Sequence, residues 1–204
     1  MKKEIKNLIN KNFPLNYCPK ELAGKYRREK PRPYLELALD ILNFLGGKVI
    51  VEIGSARRLL KHSIDQVIPD CAGCNGGHST YVFSNRPEFE LHSCDVIRYK
   101  HLVDLEENQA HVHLHTKDGV EFLREFDNQI DLLYLDGWDV GTPGYKRKSL
   151  EALYSGKDKL AKRHIILMDD TDLDNQGKGQ LIIEEFESVY ETIVSGRQTL
   201  LLSK

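Results

Sequence analysis

Apolar side chains recur at Leu35, Ala38, Leu39, Leu42 and Leu45, the spacing that lines one face of an α-helix. Pro31-Arg32-Pro33 precedes this run and Gly46-Gly47 follows it, so the segment has a punctuated start and a glycine stop. Lys48-Val-Ile-Val-Glu-Ile-Gly54 comes next, a β-branched run of the kind buried on both faces of a sheet. Further strand patterns lie at Phe89–Asp95, Ala110–Thr116, Ile130–Asp136 and His164–Asp169. Helix-like segments separate them at Tyr81–Ser84, Tyr99–Asn108, Gly119–Phe126 and Ser149–Leu160, and Ile182, Ile183, Phe186 and Val189 space out another.

Strands alternating with helices predict right-handed crossovers and a mostly parallel sheet with helices on both faces. The tail departs from that alternation. Tyr190–Val194 and Gln198–Leu202 flank Ser195-Gly196-Arg197, which predicts an antiparallel hairpin and brings the sheet to seven strands. In open sheets of this class the ligand lies beyond the carboxyl ends of the strands. Those ends carry Glu52, Gly54, Ser55, Asp95, Asp118, Asp136, Asp169 and Asp170.

The net charge of -2 conceals an asymmetry: residues 1–33 hold 10 basic and 3 acidic side chains, and residues 34–204 hold 19 and 28. The basic arm (1–33) is expected to rest, solvated, on the acidic single domain (34–204), with no nucleic-acid partner. No apolar stretch of about 7–15 residues follows Met1-Lys-Lys-Glu-Ile-Lys6, and no run approaches the ~18 residues of a membrane helix. A cytoplasmic protein without a membrane partner is therefore expected, with Cys18, Cys71, Cys74 and Cys94 as thiols or metal ligands.

The strand-end set resembles the class I S-adenosylmethionine-dependent methyltransferases, over nearly all of Pro31–Lys204. The resemblance implies a Rossmann-like fold with S-adenosyl-L-methionine as cofactor. By it, Glu52, Gly54 and Ser55 form the first cofactor motif, Asp95 holds the ribose hydroxyls and Asp118 lies near the adenine, with Asp136 also beside the cofactor. Residues 57–75 read as a cysteine-containing insertion, after which Gly76-Gly77-His78-Ser79-Thr80 resumes the turn at the cofactor, with Gly77, His78 and Ser79 in contact. Neither G-x-G-x-x-G nor G-x-x-x-x-G-K-[ST] occurs, which disfavours NAD and P-loop nucleotide binding.

Adjacent parallel strands lie about 4.8 Å apart, so Asp136, Asp169 and Asp170 can converge, and clustered carboxylates suit Mg²⁺ or Mn²⁺. This layout is similar to the cation-dependent, catechol-type O-methyltransferases, which implies Asp136, Asp169 and Asp170 as metal ligands. Where those enzymes usually carry a lysine base, this chain has Asp139. The base is then Asp139, Tyr145 or His164, or none if a metal-bound alkoxide suffices. Trp138 reads as a wall of the acceptor pocket or as plain packing. Solvated, helix-capping aspartates are the alternative to a metal set.

Cys71-Ala-Gly-Cys74 with His62 and His78 offers four zinc-type ligands, but one C-x-x-C pair more often has a structural role. His111, His113 and His115 alternate along the third strand and are expected on one face, where three imidazoles can bind metal but at a sheet edge are more often half solvated. Lys146-Arg147-Lys148 sits in a loop that can steer an anionic acceptor, and Gly177-Lys178-Gly179 reads as a loop entering the last helix. The combined expectation is methylation of an oxygen on a small hydroxylated acceptor. The alternatives are a non-catalytic cofactor- or metal-binding module of the same fold, or another nucleotide-using α/β enzyme. A homo-oligomer is compatible with either.

Overall fold

A computed structural model describes residues 1–13, 31–57, 78–173 and 175–204. Chain order is α1 (Lys2–Asn12), α2 (Arg32–Leu45), β1 (Val49–Ile53), α3 (Ser79–Ser84), β2 (Glu90–Asp95), α4 (Lys100–Asn108), β3 (Val112–Thr116) and α5 (Gly119–Glu125). It continues with β4 (Ile130–Leu135), α6 (Tyr145–Gly156), β5 (Leu160–Met168), α7 (Gln180–Phe186), β6 (Tyr190–Ser195) and β7 (Thr199–Ser203). One seven-stranded sheet runs β3-β2-β1-β4-β5-β7-β6. The first five strands pair in parallel, and β7 joins β5 and β6 antiparallel, as the hairpin pattern predicted.

Register explains the unbroken apolar strands. Ile50, Leu132, Ile165 and Leu202 align across four strands and enter the core beneath α2 with Leu35, Leu39 and Phe83. Their neighbours Val51, Leu133, Ile166 and Leu201 point the other way, into the core formed with α5, α6 and α7 through Leu123, Leu153 and Ile182. A strand covered on both faces has no solvent side, so it needs apolar residues at consecutive positions.

Several boundaries differ from those predicted. The first residues form a helix, α1, whose Ile5 is buried and whose Lys11 ammonium lies 2.8 Å from Asp40 Oδ2 on α2. Helix α6 ends at Gly156, where a Cβ would stand 3.1 Å from Leu123 Cδ2, and β5 already begins at Leu160. A 3₁₀ turn over Lys157–Lys159 carries the helical segment on to the start of β5. β3 starts at Val112, two residues later than expected, so His111 does not share a face with His113 and His115. Instead, its Nε2 donates to the Ser84 carbonyl at 2.9 Å. Among the described residues no helix is long and apolar enough to cross a membrane.

Candidate active site

The parallel strands turn outward at a common end, and there the backbone is tightest. Gly54 follows β1 at φ 95°, and a Cβ on it would stand 2.7 Å from the Asp136 carbonyl carbon and the Gly137 nitrogen. Only glycine lets the exits of β1 and β4 approach this closely. His78, Trp138 and Asp170 all have positive φ (49°, 57° and 55°) although none is glycine. Such conformations are held by the surrounding structure and concentrate where a site is built.

A cleft of about 210 Å³ opens at this end, lined by Gly54, Arg57, Asp95, Asp118, Trp138 and Asp139 among others. The Asp95 carboxylate accepts from Ser55 N at 3.0 Å and from Ile97 N at 3.1 Å, so its orientation is fixed by the backbone at the β1 and β2 exits. Asp118 caps α5, accepting from Val120 N and Glu121 N. Beneath, Gly119 leaves room for Ile53, whose Cγ2 would lie 2.4 Å from an added Cβ. A larger hollow of about 590 Å³ lies between α7 and the hairpin, lined by Gln180, Ile183 and Tyr190, and has no strand-end carboxylate in its wall.

Glu52 does not reach the cleft. It is fully buried on the α3 side of β1, accepting from Ser79 Oγ at 2.5 Å, from Thr80 Oγ1 at 2.7 Å and from Ser93 Oγ. Burial raises its carboxyl to about 7, against the lowering effect of the three hydroxyls. Glu52 and Ser79 thus fasten β1 to the start of α3. Ser55 is held the same way, its Oγ 2.8 Å from Ser93 Oγ. His78 precedes α3 and is buried, which depresses its imidazole. Gly77, most of the 57–75 insertion and the Cys71/Cys74 pair lie outside the described residues.

Asp136, Asp169 and Asp170 do converge, with ligand oxygens within 4.8 Å of one another. Two buried cations lie among them and offset two of the three charges. Lys178 Nζ lies 2.6 Å from Asp136 Oδ1 and 3.5 Å from Asp170 Oδ2, and it also donates to the Asp136 carbonyl at 3.0 Å. Arg197 Nη2 lies 3.2 Å from Asp169 Oδ2 and 3.1 Å from Asp170 Oδ1. Gln198 Nε2 adds a bond to Asp169 at 2.8 Å. Burial would raise Asp169, but Arg197 and Lys178 hold it below its ordinary value; Asp136 is raised by burial and by Asp169 despite Lys178. The predicted divalent ion fits poorly while Lys178, whose side chain is 2% exposed, stands between Asp136 and Asp170. An ion would have to displace that ammonium from a desolvated position.

Local structure explains how both cations arrive. Gly177 sits at φ 47°, where a Cβ would lie 1.8 Å from the Asp170 carbonyl oxygen, and Gly179 packs against Thr171 and Met168. The glycines bring the backbone onto the β5 exit and turn Lys178 inward, so the predicted entry loop is part of the site. Arg197 comes from the hairpin turn, which Thr171 anchors by donating its Oγ1 proton to the Gly196 carbonyl at 2.9 Å. Lysine between two glycines and arginine in a glycine turn were the available signals; neither revealed burial.

The three base candidates are not brought together. Asp139 is clamped by Arg57, at 2.7 Å and 3.0 Å, which holds its carboxyl below the usual range and makes it a poor proton acceptor. His164 lies four residues before the end of β5, its Nδ1 donating to the Ala161 carbonyl and its Nε2 paired with the Tyr190 hydroxyl at 2.9 Å. That places it at the far end of the sheet. Tyr145 is buried at the start of α6 and does not line the cleft.

No family model matches the sequence, and no curated protein matches it. Solved structures do. A Staphylococcus aureus protein assigned as a caffeoyl-CoA O-methyltransferase aligns over 100% of this chain and 98% of its own, at TM-score 0.57 and 14% identity. The chain has the methyltransferase fold. A methyltransferase from Geobacter sulfurreducens shares that fold at TM-score 0.55 and 12% identity, over 99% of this chain and 88% of its own. A Klebsiella pneumoniae protein assigned as an O-methyltransferase aligns at TM-score 0.52 and 13% identity over 98% and 88%. Within the methyltransferase fold, the cleft at the β1, β2 and β3 ends and the carboxylate cluster at the β4 and β5 ends stand side by side.

Proposed function

We propose that this chain is an S-adenosylmethionine-dependent methyltransferase that methylates an oxygen of a small hydroxylated acceptor. We further propose that Lys178 and Arg197, in place of a divalent ion, balance the strand-end carboxylates. The observation that carries the reading is the cleft holding Gly54, Asp95 and Asp118 next to an ammonium-bridged acidic cluster. Its donors and acceptors fit a cofactor bearing vicinal hydroxyls. Asp95 is a carboxylate oriented by two backbone N–H groups with lone pairs to spare, and Trp138 provides a flat apolar wall.

The cofactor supplies an electrophilic methyl on a sulfonium, and the protein aligns the acceptor oxygen and takes its proton. Asp136, adjacent to the cleft-lining Gly137, is the residue we propose for the second task. Its carboxyl is raised to about 7, close to the pH at which a general base works best. Its side chain is 25% exposed, whereas that of Lys178 is 2% exposed. Gly54, Asp95 and Asp118 would hold the cofactor, which would offer its methyl to the acceptor oxygen, while the Asp136 carboxylate would take the proton that the acceptor hydroxyl gives up. Lys178 keeps the cluster from accumulating negative charge before and after this transfer.

Calorimetric titration with S-adenosylhomocysteine tests the cofactor site: micromolar-range binding is expected for the wild type and a large loss for Asp95→Ala. Absence of binding by the wild type would refute the reading. Turnover of an acceptor panel with EDTA tests the rest, and activity that disappears with EDTA and returns with Mg²⁺ would refute the role of Lys178.

A further inference from the structure

A second group of metal-type ligands lies toward the opposite end of β2, three to five residues and roughly 10–17 Å back from Asp95. Parallel pairing sets His92 beside His113 and Cys94 beside His115. Glu90, His92, His113 and His115 thereby share the face of β2 and β3 that packs under α5. His92 meets Phe126 edge-on at 4.9 Å, and His115 meets Phe122 at 4.4 Å.

Glu90 Oε1 lies 3.2 Å from His92 Nε2 and 3.3 Å from His113 Nε2. All three ligand atoms fall within 4.8 Å of one another. Four-coordinate zinc with bonds of about 2.0–2.1 Å has ligand–ligand edges of roughly 3.3–3.4 Å, close to the two spacings seen. Glu90 is the shared neighbour of both imidazoles. His92 is 7% exposed, and its Nε2 is buried with no geometrically complete hydrogen bond among the described residues, its nearest polar neighbour being Glu90 Oε1 at 3.2 Å. The other ring nitrogen, Nδ1, is paired with His115 Nε2 at 3.1 Å, the outer contact that orients a ligating imidazole. Burial among Phe122, Phe126 and the neighbouring imidazoles disfavours the charged form of His92 and His115. Glu90 and Asp127 provide negative charge around them.

We propose that Glu90, His92 and His113 form a binding site for a divalent transition ion of the zinc class, separate from the methyl-transfer cleft. Glu90 and His113 are 45% and 40% exposed, so the ion has an open approach and a coordination position facing solvent. Bound there, it ties the edge strand β3 to β2. The inference rests on these residues alone and stands whether or not the chain transfers methyl groups.

The test is titration of the full-length protein with Zn²⁺, read by calorimetry and by metal content, and with Co²⁺, read by visible absorption. Wild type is compared with His113→Ala and Glu90→Gln, two changes at partly exposed side chains. The expected result is one ion fewer per chain in His113→Ala, with loss of the corresponding Co²⁺ band. Glu90→Gln is expected to bind roughly tenfold or more weakly at this site. Because the readout is a difference between variants, metal held by Cys71 and Cys74 cancels. Stoichiometry and spectrum unchanged in both variants would overturn the proposal, as would a wild type that binds neither ion.

Discussion

Replacing Lys178 with methionine retains most of the buried stem and deletes one charge. Asp136 Oδ1 at 2.6 Å and Asp170 Oδ2 at 3.5 Å then lose their shared ammonium. Asp169 and Asp170 keep Arg197, but the cluster carries one more uncompensated negative charge on carboxylates whose side chains are 7% to 25% exposed. Removing one partner of a buried pair costs about 3–5 kcal/mol. For a chain of this length about 2–4 °C of melting temperature accompanies each kcal/mol, so a fall of roughly 6–20 °C is expected at pH 7. Lowering the pH should recover part of it. Asp136 is already raised in the wild type, and without Lys178 it rises further, so protonation removes the repulsion as pH falls through its folded-state value. Lys178→Met also vacates the position between the carboxylates, and millimolar Mn²⁺ should raise the variant's melting temperature while leaving the wild type's nearly unchanged. Circular-dichroism melts at pH 6 and 8, with and without Mn²⁺, measure all three effects. A variant that melts with the wild type, or an equal Mn²⁺ shift in both proteins, would refute the assignment of Lys178 as the cluster's built-in cation.

Glu52 sets a different pH dependence. Its folded value of about 7 lies above the ordinary 4.5, so between these values the folded state holds a proton that the unfolded chain has released, and stability falls by roughly 3 kcal/mol as pH rises across that window. Glu52→Gln should flatten this slope and melt at or above the wild type at pH 8; a variant markedly less stable there would mean that the ionised carboxylate is the form the three hydroxyls hold. Gly177→Ala should lose roughly 1–3 kcal/mol from its left-handed backbone alone, with the 1.8 Å clash against Asp170 added; a urea midpoint equal to the wild type would contradict the packing described. Asp139→Asn breaks an ion pair whose side chains are 64% and 54% exposed, so the urea midpoint should move by less than about 1 kcal/mol; a larger loss would show that the pair organises the cleft wall.

The β-branched runs at Val49–Ile53 and Ile130–Leu135 were legible as strands because a parallel sheet covered on both sides demands apolar residues at every position. The acids at their carboxyl ends were legible for the same reason, since a charge that closes an apolar run must lie where the strand emerges. Gly54, Asp95 and Asp118 accordingly line the cleft. Helix α1 was also within reach: Ile5, Leu8 and Ile9 have helical spacing and pack against the core beneath α2, but the lysines interleaved with them mask so short a pattern.

Other roles depended on partners far along the chain. Lys178 meets an aspartate 42 residues earlier, and Arg197 one 28 residues earlier; nothing local distinguishes a lysine between glycines that is buried from one in solvent. Glu52 looked like a ligand of the cleft because it precedes Gly54, yet strand alternation turns its side chain to the α3 face, where hydroxyls from α3 and β2 enclose it. His113 was assigned to the sheet edge correctly, but its grouping with His92 follows from the β2–β3 register. Periodicity is a property of the chain itself and shows which side chains leave the water. Which charge neutralises which depends on two backbones approaching within a few ångströms, and at the acidic cluster that approach is set by Gly177 and the hairpin turn, which become neighbours only when the sheet is assembled.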